Sequence, residues 1–548
     1  MRARLFRQVA AVAAATTTLL AAGILAGHVL TGHDGGSVLA GNPTRQLPIL
    51  PAASITDDVL PAPVSAHADP HHQFRITSGT VIHAQGASRD AADYLAGLLR
   101  RSTGYRIPVV PASRPAPTGI SLLLSGADRR VGDQGYQLDI GTSTVVVRAR
   151  KAAGALAGVQ TLHQLLPAAA DSATRQAGPW PVPAGHILDY PRYAYRGAML
   201  DVSRHFFGMD TVKKYLDELS EYKINYLHLH LSDDQGWRIA VNDWPELTEI
   251  GGATQVGGGT GGYYTQAQYR QIVSYAQKRS ITIVPEIDMP GHTNAALHSR
   301  ADLTCDGVAP PAYTEIGSPN TALCVGKDLT YTFIDTVIGQ LAALTPGPYL
   351  HIGGDEAYGV DAAEYKTFID KVAPIVREHG KTLLGWDQII GGTLQAGDVA
   401  EDWDTDSDNA DLAEATHHGV KLIMSPASHV YLDQKYNKDT PIGLHWAGYV
   451  EVKDSYSWDP ATFLTGADPD SVLGVEAPLW SETIDTLDDI QYLAFPRLTS
   501  AAELGWSPRS THDWTAFSHR LGAQAPRWTV QDVNFYHSPQ VPWVSADN

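Results

Sequence analysis

The sequence predicts an α/β protein in which a (β/α)8 barrel follows a smaller α/β domain. From about residue 189 to residue 548, short β-rich runs recur and most are followed by an amphipathic, helix-like stretch. Such alternation implies parallel strands, and eight of them fit a barrel with loop insertions. The 548 residues are 43% hydrophobic and 18% charged, which excludes a mainly disordered or coiled-coil chain.

The first 40 residues have the layout of an export signal. Arg2, Arg4 and Arg7 precede an apolar, alanine-rich run over residues 9–30, and small residues near Ala40 offer a cleavage site. The run is also long enough to span a bilayer, so residues 1–40 are predicted to be a signal peptide or an uncleaved N-terminal anchor. We therefore expect a secreted protein, or one that is anchored outside the cell and touches a membrane only through this segment.

Two further regions precede the predicted barrel. Residues 41–70 are rich in proline and alanine without periodicity, which predicts an extended linker. Residues 71–188 alternate strand-like with helix-like segments and predict a small α/β domain without an obvious catalytic cluster. Its strand-like segments are 120–124 and 144–148, and its helix-like segments are 91–100 and 153–166.

Eight β-rich segments are predicted to form the barrel. They are residues 196–202, 224–231, 281–287, 349–352, 382–386, 398–403, 421–425 and 472–478. A doubly wound open sheet is the alternative, but no G-x-G-x-x-G sequence follows the first strand. The barrel is therefore preferred.

The carboxyl ends of these strands share one composition. In a barrel the active site lies at these ends. They contribute carboxylates, one arginine and several aromatic residues: Asp201, Arg204, Asp233, Asp288, His292, Asp355, Glu356, Trp386, Asp387, Trp403, Tyr431, Asp433, Trp480 and Glu482. A single aspartate there often only caps a helix, but the same bias at eight ends favours carbohydrate chemistry. The net charge of −19 disfavours a nucleic-acid partner.

The adjacent pair Asp355 and Glu356 indicates a particular mechanism. Most glycosidases place two carboxylates about 5 to 9 Å apart across the scissile bond. Neighbouring residues cannot easily flank a sugar in this way. They fit a scheme in which Glu356 protonates the leaving oxygen while Asp355 holds an N-acetyl group of the substrate that is itself the nucleophile.

The segment His351-Ile352-Gly353-Gly354-Asp355-Glu356 resembles the signature of the family 20 glycoside hydrolases, the β-N-acetylhexosaminidases, especially the secreted bacterial ones. Supporting motifs follow in order: residues 201–204, 228–230, 290–292, 384–387 and 479–482. The resemblance covers roughly residues 191–506. The preceding α/β segment is similar to the family's non-catalytic N-terminal domain.

The resemblance implies exo-acting hydrolysis of terminal β-linked N-acetylhexosamine from oligosaccharides or glycoconjugates, without a metal or organic cofactor. It assigns Glu356 as general acid/base and Asp355 as the partner of the acetamido nitrogen. The remaining roles are Tyr431 on the acetamido oxygen, Trp386, Trp403 and Trp480 around the acetamido methyl, Arg204, Asp433 and Glu482 on sugar hydroxyls, Asp233 and His292 as a relay to Glu356, and Trp446 stacked on the next sugar.

Two other functions compete with this interpretation. His228 and His230 lie on one strand face near Asp233, His292 and His351, a set that could ligate a metal in a barrel hydrolase. Their place on the second strand favours hydrogen-bonded barrel lining instead. A non-catalytic sugar-binding protein would need the same tryptophans, but an intact Asp355–Glu356 pair favours turnover.

The chain has two cysteines, Cys305 and Cys324, in the insertion after the third barrel strand. Two cysteines cannot form a four-cysteine zinc site. In an exported protein they are expected to form one disulfide.

Overall fold

The computed structural model describes residues 54–55 and 57–545. The predicted signal peptide or anchor therefore lies outside the described residues. Within them, no helix is both long enough and apolar enough to cross a membrane.

The N-terminal domain is a seven-stranded sheet with two long helices. Its spatial order is β1-β7-β5-β6-β4-β2-β3, parallel among β2, β3, β4 and β6 and antiparallel elsewhere. The elements are β1 (Ser65–Arg75), β2 (Ile82–Ala84), α1 (Arg89–Thr103), β3 (Val109–Pro111), β4 (Gly119–Leu123), β5 (Tyr136–Ile140), β6 (Thr144–Ala149), α2 (Ala152–Gln164) and β7 (Pro181–Asp189). Both predicted strands and both predicted helices are present.

The prediction of a linker over residues 41–70 is wrong for its described part. Val59 and Leu60 are fully buried, and β1 begins at Ser65. The prolines mislead because β1 is an edge strand, and Pro70 lies in the register shift between Asp69 and Gln73. Edge strands and bulges accept a residue without an N–H donor.

The catalytic-domain sheet is a closed barrel of eight parallel strands, as predicted. Going round, the order is β8-β9-β12-β13-β14-β15-β16-β17, and β17 pairs with β8. The strands are β8 (Tyr195–Asp201), β9 (Tyr226–His230), the hairpin β10 (Ser232–Asp233) and β11 (Gly236–Trp237), β12 (Thr282–Glu286), β13 (Tyr349–His351), β14 (Thr382–Trp386), β15 (Val399–Asp402), β16 (Lys421–Met424) and β17 (Val472–Leu479).

Helices surround the barrel. They are α3 (Met209–Glu221), α4 (Glu246–Glu249), α5 (Gln266–Gln277), α6 (Asn294–Ser299), α7 (Asp328–Leu344), α8 (Ala362–Glu378), α9 (Ala410–His417), α10 (Ala427–Val430), α11 (Val452–Tyr456), α12 (Leu487–Ala494), α13 (Arg497–Trp506), α14 (Trp514–Gly522) and α15 (Ala525–Gln531).

The apolar core of this domain lies between the strands and the helices. On β9, Leu227 and Leu229 belong to that core, while the alternating His228 and His230 bond to side chains of other barrel strands. This follows from the two-residue period of a strand, which sends successive side chains to opposite faces. The interior holds an apolar cluster that includes Val284, Leu384 and Ile423, together with the polar side chains that belong to the site.

The two domains share a packed interface. Trp506 of α13 belongs to the apolar core of the N-terminal domain, and Leu60 belongs to the core of the barrel domain. The Trp506 indole donates to Asp189 Oδ1 at 2.9 Å, and the Ala62 amide donates to Glu503 Oε2 at 2.8 Å. The domains are therefore joined by buried contacts as well as by the chain.

Candidate active site

The glycine pair before Asp355 lets two strand ends meet. Gly353 and Gly354 have φ of +67° and +100°, a region that favours glycine. A Cβ on Gly353 would lie 1.8 Å from Asp288 Oδ1. The same oxygen accepts a hydrogen bond from the Gly354 amide at 3.1 Å. The third and fourth strand ends are therefore in direct contact.

Two residues of the predicted site have a left-handed backbone conformation. Glu356 has a φ of +43° and His292 a φ of +52°. Such conformations are uncommon for residues other than glycine and cluster where function requires them. Both turns aim their side chains at the same place, because His292 Nε2 lies 3.7 Å from an oxygen of Glu356.

His292 joins the catalytic pair to a buried aspartate. Its Nε2 lies 3.7 Å from Asp355 Oδ2 as well as from Glu356 Oε2. Its Nδ1 lies 3.2 Å from Asp233 Oδ1 and 3.6 Å from Asp234 Oδ2. His292 therefore lies between Asp233, to which it is hydrogen-bonded, and Glu356, which stands at ion-pair distance.

The charges of Asp233, His292, Asp355 and Glu356 influence one another's protonation. Burial would lower the pKa of His292, but the charges of Asp233 and Asp355 outweigh burial and raise it well above the usual range. Burial would raise the pKa of Glu356, but His292 outweighs that effect and lowers it. For Asp355 burial prevails, and its pKa is raised.

Arg204 holds the other side of Asp233. One of its guanidinium nitrogens lies 2.7 Å from Asp233 Oδ2, and its guanidinium carbon lies 4.7 Å from the centre of the Trp480 ring. Burial would raise the pKa of Asp233, but Arg204 and His292 outweigh it and keep the carboxyl far below its ordinary pKa. Asp233 therefore remains an anion that stabilises a protonated His292.

Aromatic side chains form one wall of the site. Trp386, Tyr431 and Trp480 are buried in one cluster, with Trp403 packed against it. The Trp386 and Trp480 ring centres are 5.6 Å apart, and the rings of Trp403 and Tyr431 are nearly parallel at 6.5 Å. Flat apolar faces in this arrangement suit a small planar group such as an amide.

Buried carboxylates lie at the far end of this wall. Within the described residues, Asp433 Oδ1 and Glu482 Oε2 are buried without a hydrogen-bond partner, as groups that await polar ligand atoms would be. Burial, followed by the charge of Glu482, raises the pKa of Asp433. Trp446 lies at the rim, 45% exposed, with its ring 6.0 Å from that of Trp403.

The structure thus brings together all twelve residues predicted for catalysis and binding, and it adds three that the sequence analysis did not assign. Asp288 was noted at a strand end, but its contact with Gly354 links residues 66 positions apart. The Tyr358 hydroxyl donates to Glu356 Oε1 at 2.8 Å. The Trp386 indole donates to Glu286 Oε1 at 3.0 Å. For Asp288 and Glu286, a carboxylate at a strand end is the available signal.

His228 and His230 are engaged as barrel lining. The ring nitrogens of His228 lie 2.7 Å from Glu476 Oε1 and 2.9 Å from Glu286 Oε2. His230 bonds to Glu286 and, at 2.7 Å, to Asp233. Some of these atoms, including His228, Glu286 and His351, are close enough together to hold a cation. The carboxylate partner on each ring nitrogen favours a hydrogen-bonded network over a metal-ligand set.

The predicted disulfide is present between Cys305 and Cys324. It closes the insertion after β12, which contacts the site region where the Gln235 amide donates to the Glu315 carbonyl at 2.8 Å. The Leu323 amide also donates to the Pro290 carbonyl at 3.0 Å. The disulfide loop therefore supports the wall that carries His292.

Carboxylates paired with a buried histidine, beside an aromatic wall at the carboxyl ends of barrel strands, define a glycoside hydrolase. The model of the glycosyl hydrolase family 20 catalytic domain matches residues 193–366 and 359–509, and that of the family's domain 2 matches residues 56–190. The chain belongs to glycosyl hydrolase family 20. The predicted family and barrel fold are confirmed.

Relatives cover most of the chain. A β-N-acetylhexosaminidase of Cellulomonas fimi is 40% identical over 487 residues, which are 88% of this chain and 97% of the relative. The structure of a family 20 β-N-acetylhexosaminidase from Streptomyces coelicolor A3(2) matches with a TM-score of 0.87 and 53% identity, covering 90% of this chain and all of the other. A mutant Streptomyces plicatus β-hexosaminidase in complex with its product GlcNAc matches with a TM-score of 0.86 and 55% identity, covering 92% and 99%.

Proposed function

We propose that this enzyme removes terminal, non-reducing β-linked N-acetylglucosamine or N-acetylgalactosamine from oligosaccharides and glycoconjugates, with retention and with the substrate's acetamido group as nucleophile. The names of its relatives support the substrate class, since they include β-N-acetylhexosaminidases and a complex with GlcNAc.

One observation carries the mechanism. Asp355 and Glu356 each place an oxygen 3.7 Å from the same nitrogen of His292. The two carboxylates are adjacent in sequence and meet at one imidazole, which favours a shared side of the site over positions across a sugar ring. An enzyme nucleophile opposite the general acid would require the second arrangement. The acetamido oxygen of the substrate then supplies the nucleophile.

The residues divide the reaction as follows. Glu356 gives its proton to the glycosidic oxygen while the acetamido oxygen attacks the anomeric carbon, forming an oxazolinium ion and releasing the aglycone. Asp355 stabilises the positive charge on the acetamido nitrogen. Glu356, now a carboxylate, accepts a proton from the water that opens the ring, and this restores the enzyme.

The aromatic wall orients the nucleophile. Trp386, Trp403 and Trp480 enclose the acetamido methyl, and the Tyr431 hydroxyl donates to the acetamido oxygen, so that the amide is held against the anomeric carbon. The unpartnered oxygens of Asp433 and Glu482, together with Arg204, bind the hydroxyls of the terminal sugar. Trp446, at the exposed rim, stacks on the next sugar.

Substrate must change the protonation of the pair. In the ligand-free site the pKa of Glu356 is lowered and that of Asp355 is raised. Catalysis needs the opposite, a protonated Glu356 and an anionic Asp355. A bound sugar excludes water around Glu356, which raises its pKa, and the charge on the acetamido nitrogen lowers the pKa of Asp355.

A panel of chromogenic β-glycosides tests the proposed nucleophile. Substrates with a 2-acetamido group should be hydrolysed, while those with a 2-hydroxyl should be hydrolysed very poorly. A thiazoline that mimics the oxazolinium ion should bind far more tightly than substrate. A sugar trapped covalently on Asp355 by a 2-fluoro substrate, or a thiazoline that fails to inhibit, would overturn the mechanism.

The acid role has its own test. Glu356→Gln should lose about 10²- to 10⁴-fold in kcat/KM on a disaccharide and less on aryl substrates with acidic phenols, since these need little protonation. Glu378→Gln, at an exposed position of α8, is the matched control and should keep full activity. Equal loss across leaving groups would contradict the assignment of Glu356.

We also propose that the enzyme acts outside the cell, free or held by its N-terminal segment. The charge and apolar pattern of residues 1–30 and the Cys305–Cys324 disulfide support this location. N-terminal sequencing of the protein from culture medium and from membranes separates the secreted from the anchored form. Recovery from the cytoplasm alone, with free thiols, would refute both.

A further inference from the structure

Tyr358 combines an exposed ring with a bond to the predicted catalytic acid. Its side chain is 59% exposed, yet its hydroxyl donates to Glu356 Oε1 at 2.8 Å. It follows Glu356 by two residues, and its amide donates to the Glu356 carbonyl at 2.6 Å. The phenol therefore lies at the surface beside the carboxylate of Glu356, which is itself partly exposed.

Each oxygen of Glu356 faces one group in the ligand-free site. Oε1 accepts a hydrogen bond from Tyr358, and Oε2 lies at an ion-pair distance of 3.7 Å from His292 Nε2. A glycosidic oxygen must reach one of them to receive a proton. His292 is buried and fixed by Asp233, whereas Tyr358 lies at the surface, so Tyr358 is the partner that an incoming group can replace.

The loop that carries Tyr358 packs against the insertion that contains the disulfide. Gly359 packs against the disulfide insertion so closely that a Cβ there would lie 3.0 Å from the Asn320 carbonyl oxygen and 3.0 Å from Ala322 Cβ. This contact restrains the backbone next to Tyr358, while the ring itself is exposed. A change of side-chain rotamer is then sufficient to displace the hydroxyl without movement of the loop.

We propose that Tyr358 is a positioning residue on the leaving-group side: its hydroxyl holds the carboxylate of Glu356 in the free enzyme, and the aglycone displaces this hydroxyl when substrate binds. The inference rests on the proposed acid role of Glu356. It adds a contact that exists in the free enzyme and is absent from the complex.

The sign of the expected effect follows from the groups that face Glu356. These are His292, Tyr358, Asp355 and, at longer range, Arg204. A donated hydrogen bond stabilises the anion, so removal of the phenol hydroxyl raises the pKa of Glu356 in the free enzyme. Because a general acid loses activity above its pKa, the alkaline limb of kcat/KM moves to higher pH. The alkaline limb of kcat reports the complex, where the hydroxyl is already displaced.

The experiment compares pH profiles on a β-linked N-acetylglucosamine disaccharide for wild type, Tyr358→Phe and the control Tyr263→Phe, an exposed tyrosine on the loop before α5. For Tyr358→Phe the alkaline limb of kcat/KM should rise by about half a pH unit to one unit, a three- to tenfold gain above the limb, while the kcat limb stays in place. Tyr263→Phe should match wild type in both. A kcat/KM limb that does not move, or two limbs that move together, overturns the inference.

A parallel measurement keeps this result separate from the proposed function. Glu356→Gln is assayed on the same disaccharide. If it retains wild-type kcat/KM, the acid role fails. If it loses activity while the kcat/KM limb of Tyr358→Phe stays at the wild-type pH, the role of Glu356 stands and only the inference on Tyr358 fails.

Discussion

The aliphatic core of the N-terminal domain and the histidine–carboxylate network inside the barrel are equally buried but differ in chemistry. Leu138, Val145 and Val147 of the first are aliphatic and have no exposed surface. His230 and Glu286 of the second have none either, and they are bonded to each other. Aliphatic packing stabilises a fold wherever it occurs, whereas buried ion pairs add little net stability. The polar network therefore serves the chemistry of the barrel, while both domains have an apolar core that stabilises the fold.

The barrel network also reaches the site directly. Glu286 accepts from the Trp386 indole, and His230 bonds to Asp233 of the relay. A substitution inside the barrel should therefore change activity, while one inside the N-terminal sheet should change stability alone.

Activity and stability should separate at the rim of the barrel. Asp355→Asn removes the negative charge beside the acetamido nitrogen and should cost about 10²- to 10³-fold in kcat/KM. Its Tm should stay close to that of wild type, since a ligand-free carboxyl with a raised pKa loses little on neutralisation. Asp411→Asn, on the exposed side of α9, is the control. A large fall in Tm with unchanged activity would assign Asp355 to the fold instead.

A matched pair of interior substitutions tests the contrast itself. Glu286→Ala leaves three histidine partners without their carboxylate and should destabilise by about 3–5 kcal/mol. Leu138→Ala should cost a similar amount, about 2–5 kcal/mol, through its cavity. At a temperature where both variants are folded, only Glu286→Ala should lower kcat/KM, because Trp386 loses its anchor. Denaturant unfolding measures the loss of stability, and steady-state kinetics measure kcat/KM. An equal kcat/KM for Glu286→Ala and Leu138→Ala would contradict the proposed difference between the two interiors.

The disulfide should contribute less to the stability of the protein, and it lies in the barrel domain, beside the active site. Cys305 and Cys324 are 19 positions apart, and a loop of this size is worth about 3 kcal/mol by chain entropy. The double variant Cys305→Ser/Cys324→Ser should therefore unfold at lower denaturant concentration. Thiol titration of the unreduced wild-type protein provides the check, and two free thiols would contradict the bridge.

The two regions should answer pH in opposite directions. Burial, followed by the charge of Glu476, raises the pKa of Glu401 to about 7 from 4.5. The folded barrel thus binds this proton more tightly than the unfolded chain. Its contribution to stability is complete below about pH 4.5 and is lost as the pH rises to about 7.

Asp171 lies in the N-terminal domain, and its contribution to stability depends on pH in the opposite direction. Burial would raise its pKa, but Arg527 and His163 outweigh burial and lower it from 3.8 to about 2. Its contribution is complete above about pH 4 and is lost as the pH falls to about 2. In the wild type, Tm should fall by about two to four degrees between pH 5 and 7.5, and Glu401→Gln should flatten this decline. Asp171→Asn should flatten the decline in Tm below pH 4. Unchanged slopes in both variants would refute this division.

Sequence reasoning succeeded where the pattern is local. All eight barrel strands are short β-rich runs, and the strand ends carry the site residues by position alone. It failed over residues 57–70, where proline content resembles a linker although an edge strand accepts Pro70. Periodicity places His228 inside the barrel but does not reveal its carboxylate partners, which lie 58 and 248 positions away. Tyr358 was missed because its contact depends on the left-handed turn at Glu356.

Trp506 of the barrel domain packs in the core of the N-terminal domain, and Leu60 packs in the core of the barrel domain. These contacts limit where the chain can be truncated. The boundary near residue 190 invites expression of the barrel alone, without its N-terminal companion. Such a fragment would keep every catalytic side chain, yet it would present the bare face of Trp506 to water and leave the hole once filled by Leu60. We expect it to aggregate or to be degraded, so that a domain without catalytic residues is inherited together with the enzyme because its absence makes the catalytic half insoluble.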